Sequence, residues 1–139
     1  MRTSLPRLTE DTQRQLAQLG VVLCYAHGSV IAGRAMRESD LDIAVLLDAS
    51  PNAKDALVLM EHIRKILQHL APKRELDISF LNEAGPLFQQ VVAAGGELLY
   101  ARSDDDRIRF EFHAMHEYEA SKRVRRIGYD LLNTHYASL

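Results

Sequence analysis

The order of patterns along this 139-residue chain predicts an α/β (α+β) fold, a small mixed β-sheet with flanking helices. Two observations carry the prediction. Four short β-rich runs, at 21–27, 41–47, 76–80 and 98–101, alternate with stretches whose apolar residues recur at helical spacing. Helix-capping residues, prolines and glycines stand at the boundaries between them, with no linker, repeat or low-complexity segment to divide the chain. At 47% hydrophobic and 26% charged residues the composition is ordinary for a globular protein, and the length suffices to bury a core without disulfides or metal. One domain is therefore expected over 1–139, with a core of about 9–101 and a closing helix of about 103–135.

Each element has a local cause. Thr9 can cap a short helix carrying Leu16 and Leu19 and ended by Gly20. The apolar run Val21 to His27 reads as the first strand, and Gly28-Ser29 would end it in a tight turn. The ten residues after that turn are expected to form a short helix leading into a second strand, Leu41 to Leu47. Ser50 and Pro51 should open the next helix, whose Ala56, Leu59, Met60, Ile63, Leu67 and Leu70 recur at core-facing spacing until Pro72 stops it. Arg74 to Phe80 reads as a third strand. Pro86 opens a shorter helix through Ala94, Gly95-Gly96 terminates it, and Leu98 to Ala101 can form a fourth strand. Ser103 is a candidate cap for the long closing helix, with Asp104, Asp105 and Asp106 at its positive end and Lys122, Arg123, Arg125 and Arg126 further along. That charge pattern suits the helix dipole; it also suits a surface for an oppositely charged partner.

The chemistry concentrates in GSVIAGRAMRESDLD, residues 28–42. Asp40 and Asp42 are two apart at the start of a strand, so both carboxylates project to one side. Mg²⁺ takes hard oxygen ligands and keeps several waters, so one or two carboxylates plus substrate phosphate oxygens can hold it. Gly28, lacking a Cβ, lets the backbone approach a phosphate closely, and a helix beginning just after Ser29 would aim N–H groups at the anion, with the Ser29 hydroxyl as a further donor. Asp77 lies between Leu76 and Ile78 in the third strand and is expected to be at least half-buried. It then either pairs with a neighbouring arginine or completes a three-carboxylate metal site. His27 could touch a phosphate or a base, or serve the strand end structurally. Arg34 and Arg37 could neutralise a triphosphate, or be solvated surface charge.

Composition also excludes functions. The single cysteine, Cys24, cannot form an intramolecular disulfide and sits in an apolar strand, as a buried, inert thiol would. No apolar run approaches the roughly 20 residues that cross a bilayer, and the N-terminus has no signal-peptide pattern, so a cytoplasmic protein is expected. A net charge of −2 argues against broad coating of nucleic acid, and not against a nucleotide in a cleft.

Gly28, Ser29, Asp40, Asp42 and Asp77 together match the pattern GS, ten residues, DxD and a later Asp, without departure. In these residues the chain resembles the minimal nucleotidyltransferases (MNT) of the DNA polymerase β superfamily, most closely the MntA-type antitoxins of HEPN/MNT toxin–antitoxin pairs. GGELLY (95–100) and RIRFEFHAMHEYEASKRVRR further resemble the family's glycine-led strand and closing helix, although more loosely. The resemblance implies a polymerase-β-type core and transfer of a nucleoside monophosphate, AMP from ATP, to a hydroxyl. It implies two Mg²⁺ ions held by Asp40, Asp42 and Asp77, with Asp77 as general base and Gly28 and Ser29 binding the nucleotide. It further implies an antitoxin that adenylylates a tyrosine of a cognate HEPN ribonuclease toxin within a protein complex. Two alternatives stand beside this reading: neutralisation by binding alone, and modification of a small molecule of aminoglycoside type.

Overall fold

Strands β1 (Val21–His27), β2 (Leu41–Leu47), β3 (Leu76–Phe80) and β4 (Glu97–Ala101) form one mixed sheet in the order β3-β2-β1-β4. They belong to a computed structural model that describes residues 4–36 and 39–137, the side chains of 136 and 137 excepted. β1 runs antiparallel to both β2 and β4, whereas β2 and β3 are parallel. A parallel neighbour requires a crossover, and the segment between β2 and β3 supplies one.

Five helices flank the sheet: α1 (Glu10–Gln18), α2 (Ser29–Ala32), α3 (Ala53–Leu67), α4 (Pro86–Gly95) and α5 (Asp104–Ala137). Period-two alternation sorts the side chains of β2 between two layers. Leu41, Ile43, Val45 and Leu47 join Leu16, Ile63 and Leu67 on the α1/α3 side, while Ala44 and Leu46 join Tyr25, Val92 and Phe110 on the α4/α5 side. Tyr25 pins α5 to the sheet through its hydroxyl, which donates to Glu111 Oε1 (3.0 Å), and its ring packs on Phe110.

The caps follow the expected chemistry with two departures. The Thr12 amide donates to Thr9 Oγ1 (3.1 Å), Gly20 turns the chain at φ +81°, and the Asp106 amide donates to Ser103 Oγ (3.1 Å). α3, however, is capped by Asn52, not by Ser50-Pro51: Asn52 Oδ1 accepts from the Asp55 amide (2.9 Å), so the helix opens at Ala53. α2 is a single turn of four residues, because Gly33 at φ +76° closes it in the left-handed conformation; residues 34–36 and 39–40 are loop. Among the described residues no helix is long and apolar enough to cross a membrane.

Candidate active site

β1 ends where β2 and β3 begin, and the register sets His27 opposite Asp42 and Asp42 opposite Asp77. The three residues thus form a row across adjacent strands, whose spacing is about 4.8 Å in any sheet. Leu76 and Ile78 point into the α1/α3 layer and Ala44 into the α4/α5 layer, so alternation puts Asp42 and Asp77 on the α4/α5 side; Tyr25 puts His27 there too. Asp40 stands one residue before β2, on the loop.

Asp42 is half-buried, whereas Asp40 and Asp77 are exposed. The exposure of Asp77 corrects the expectation of a buried carboxylate in β3. β3 is an edge strand, and the α4/α5 layer packs on β1 and on β4 at the opposite edge, leaving Asp77 exposed. Its neighbours Leu76 and Ile78 are buried as expected, on the opposite face.

Electrostatically the row is unbalanced. Burial raises the Asp42 carboxyl above the ordinary range; His27 opposes this, while the like charges of Asp77 and Asp40 add to it. Burial lowers the His27 imidazole, against the pull of Asp42 and Asp77. His27 Nε2 is enclosed and makes no hydrogen bond, and the ring is held edge-on against Phe88 of α4, centroids 5.4 Å apart. Among the described residues no three His, Cys, Asp or Glu side chains are drawn together as a ready-made metal cluster.

Gly28 shapes the floor of the site. Its backbone, at φ +85° and ψ −161°, lies where only glycine is at ease, and a Cβ there would collide with Asp42 Oδ2. The Gly28 carbonyl accepts from the Ala32 amide (3.0 Å) to close α2, leaving the amides of Ser29, Val30 and Ile31 without acceptors inside that turn. Three oxygen-donor carboxylates, an orphaned buried nitrogen and a floor that admits no side chain fit a hard cation with a phosphate group.

One contributor was not visible in sequence. Arg74, just before β3, donates to the carbonyls of Met36 (3.0 Å) and Ser39 (2.6 Å), and the Leu41 amide donates to Glu75 O (2.9 Å). Together these tie the loop carrying Asp40 to the strand carrying Asp77. A contact spanning 35 residues leaves no local signal; only the position of an arginine at a strand start hints at it. Arg34 is exposed, and Arg37 lies outside the described residues. Cys24 is buried in β1, its thiol pushed up to about 12 by burial, as an inert thiol would be.

A four-stranded mixed sheet whose register sets Asp42 opposite Asp77, beside the glycine turn at Gly28, is the frame of a nucleotidyltransferase core. The chain belongs to the Polymerase beta nucleotidyltransferase family, which its residues 10–105 match, from α1 through the start of α5. No curated protein matches the sequence. Among solved structures it is similar to a mutant of the toxin–antitoxin MntA–HepT, with TM-score 0.67 and 22% identity over 90% of this chain and 98% of that one. A toxin–antitoxin with AMP-PNP gives TM-score 0.66 and 24% identity, again over 90% and 98%. A tri-AMPylated Shewanella oneidensis HEPN toxin in complex with MNT antitoxin gives 0.61 and 21% over the same shares.

Proposed function

We propose that the chain, as a single nucleotidyltransferase domain acting in the cytoplasm, is an antitoxin that transfers AMP from ATP to a tyrosine hydroxyl of a cognate HEPN-type ribonuclease toxin. The observation that carries the reading is the register pairing of Asp42 with Asp77 beside the side-chain-free floor at Gly28. Similarity to an MNT antitoxin in complex with an AMPylated toxin, and to a toxin–antitoxin with AMP-PNP, supports the choice of acceptor and nucleotide.

In this reading Asp40, Asp42 and Asp77 would hold Mg²⁺, two ions as the family resemblance implies, which would neutralise the phosphates and lower the pKa of the attacking hydroxyl. Gly28 and Ser29 seat the phosphates with backbone amides and the Ser29 hydroxyl. The tyrosine oxygen forms a bond to the α-phosphorus, the bond to pyrophosphate breaks, and pyrophosphate leaves with the electron pair. Asp77 Oδ accepts the phenolic proton. Asp77 suits that task better than Asp42, because it is exposed at the sheet edge where an acceptor protein can reach it.

Intact mass spectrometry of the co-expressed HEPN protein tests the proposal. Wild type should add about 329 Da per AMP group, as phosphoryl transfer chemistry dictates, and the Asp40→Ala, Asp42→Ala double variant should add none. An unshifted toxin that the wild-type chain nevertheless neutralises would overturn catalysis in favour of binding alone.

A further inference from the structure

The second half of α5 leaves the body of the protein. The last buried side chain is Ala114, and beyond it no described side chain is buried, although the helix continues to Ala137. Helices this exposed are marginal in water by themselves. Along the bare stretch Ala120, Val124, Ile127 and Leu131 recur at intervals of four, three and four, the period of a two-helix coiled-coil seam. Val124, Ile127 and Leu131 are 69%, 60% and 66% exposed.

We infer that this seam is the docking surface for a second copy of the chain, paired antiparallel through residues 117–134. The flanking charges select both partner and direction. With Val124 layered on the second copy's Ile127, and Ala120 on its Leu131, Arg123 of each copy stands beside Asp130 of the other, and symmetry makes the pair twice. A parallel pairing would set Arg123 against Gly128 and Asp130 against His135, with no pair of opposite sign between acid and arginine. Lys122, Arg125 and Arg126 fall on the outer side of the helix, so the basic cluster does not oppose association; Lys122 and Arg125 instead lie over the Tyr118 ring of their own helix.

The geometry fits in two further respects. Small residues meet large ones across the seam, Ala120 against Leu131, and on the second flank Gly128, with nothing within 4 Å of an added Cβ, faces Ser121 of the second copy, so that flank carries no charge. In the same register Ala137 of the second copy comes level with Ala114, so the overlap spans the stretch that the chain's own core leaves bare. This dimer is independent of the catalytic reading, since the seam lies beyond the residues that match the nucleotidyltransferase family.

Sedimentation analysis of the full-length protein from low to high micromolar concentration tests the inference. Wild type should approach twice the 15.7 kDa of one chain, and Ile127→Glu should remain monomeric. Arg123→Asp and Asp130→Arg should each weaken the dimer by about tenfold, since each turns two attractive pairs into repulsive ones. An equimolar mixture of those two variants should associate more tightly than either alone, because every flanking pair is again of opposite sign. These charged positions are exposed, so the variants keep the question open to decision even if Ile127→Glu disturbs folding. A wild type that stays monomeric throughout overturns the inference, as does a dimer that neither charge variant weakens. So does a monomeric wild type whose seam, by loss of binding in Ile127→Glu, proves to belong to the HEPN protein.

Discussion

Gly28→Ala perturbs the site through the backbone and through one contact at once. At φ +85° and ψ −161° the residue occupies a region essentially reserved to glycine, where a side chain costs about 1–3 kcal/mol. The added Cβ also meets Asp42 Oδ2, so the carboxylate must rotate away. Asp42 is a short side chain and can move, which keeps the steric cost small; the total destabilisation should be about 2–3 kcal/mol, dominated by the backbone. The functional loss should be larger than that figure implies, because the displaced group is a proposed metal ligand. Gly85→Ala is the control: Gly85 caps α4 at φ −65° with nothing within 4 Å of an added Cβ, and should lose less than about 1 kcal/mol. Urea denaturation of both variants, alongside AMP transfer to the HEPN protein, reads the two effects separately. A Gly28→Ala protein as stable as wild type would refute the backbone argument. One that is destabilised yet fully active would refute the placement of Asp42 in the chemistry.

One further perturbation has opposite signs for stability and activity. Asp42→Asn should raise the unfolding midpoint at neutral pH without divalent cation while abolishing transfer, because burial and two neighbouring carboxylates disfavour its charge in the folded state; calorimetry checks the first and mass spectrometry the second. His27 is held neutral by burial, its folded value lying below the ordinary 6.5, so the unfolded chain binds the extra proton first. Its contribution to stability is therefore complete above pH 6.5 and is lost as pH falls toward the folded value, and His27→Phe should flatten that part of a pH–stability profile. Arg74→Met removes two hydrogen bonds to loop carbonyls and should cost about 1 kcal/mol. Its signature is faster amide exchange in the loop before Asp40 and a larger fall in kcat than in global stability.

What was legible in sequence was local. β-rich runs located β1, β2, β3 and β4, and Gly28 to Asp42 could be read as a site because its parts lie within fifteen residues on consecutive elements. Asp77 could be singled out as a charge among apolar neighbours, but its position opposite Asp42 could not, since a parallel pairing is set by packing of the crossover and not by adjacent residues. Its exposure has the same origin: strand order, which no local pattern encodes, places β3 at an edge of the sheet. Asn52 displaced Ser50-Pro51 as a cap because several good capping residues were adjacent and only the geometry of the first turn chooses among them. In α5 the apolar positions 124, 127 and 131 are interleaved with charges, and their exposure depends on tertiary packing: among the described residues none covers them.

Asp42, a proposed metal ligand, and its cross-strand neighbour His27 are residues the fold accommodates poorly. The sheet register forces Asp42 beside Asp77 and leaves His27 Nε2 enclosed without a partner. Neither condition would persist in a sheet end selected for stability alone, where an apolar residue at position 42 or 27 would remove a desolvated group. The surrounding elements hold the arrangement in place: antiparallel and parallel ladders on both sides of β2, the Arg74 tie to the preceding loop, and the Asn82 side chain, which bonds both the amide and the carbonyl of Leu47 at the far end of the strand. A backbone frame that holds the three carboxylates at one sheet end favours electrostatic preorganisation, because the strands that carry them need not move when charge arrives. The desolvation of Asp42 beside an unpartnered His27 Nε2 is therefore the structural counterpart of the site's proposed affinity for a cation and a phosphate.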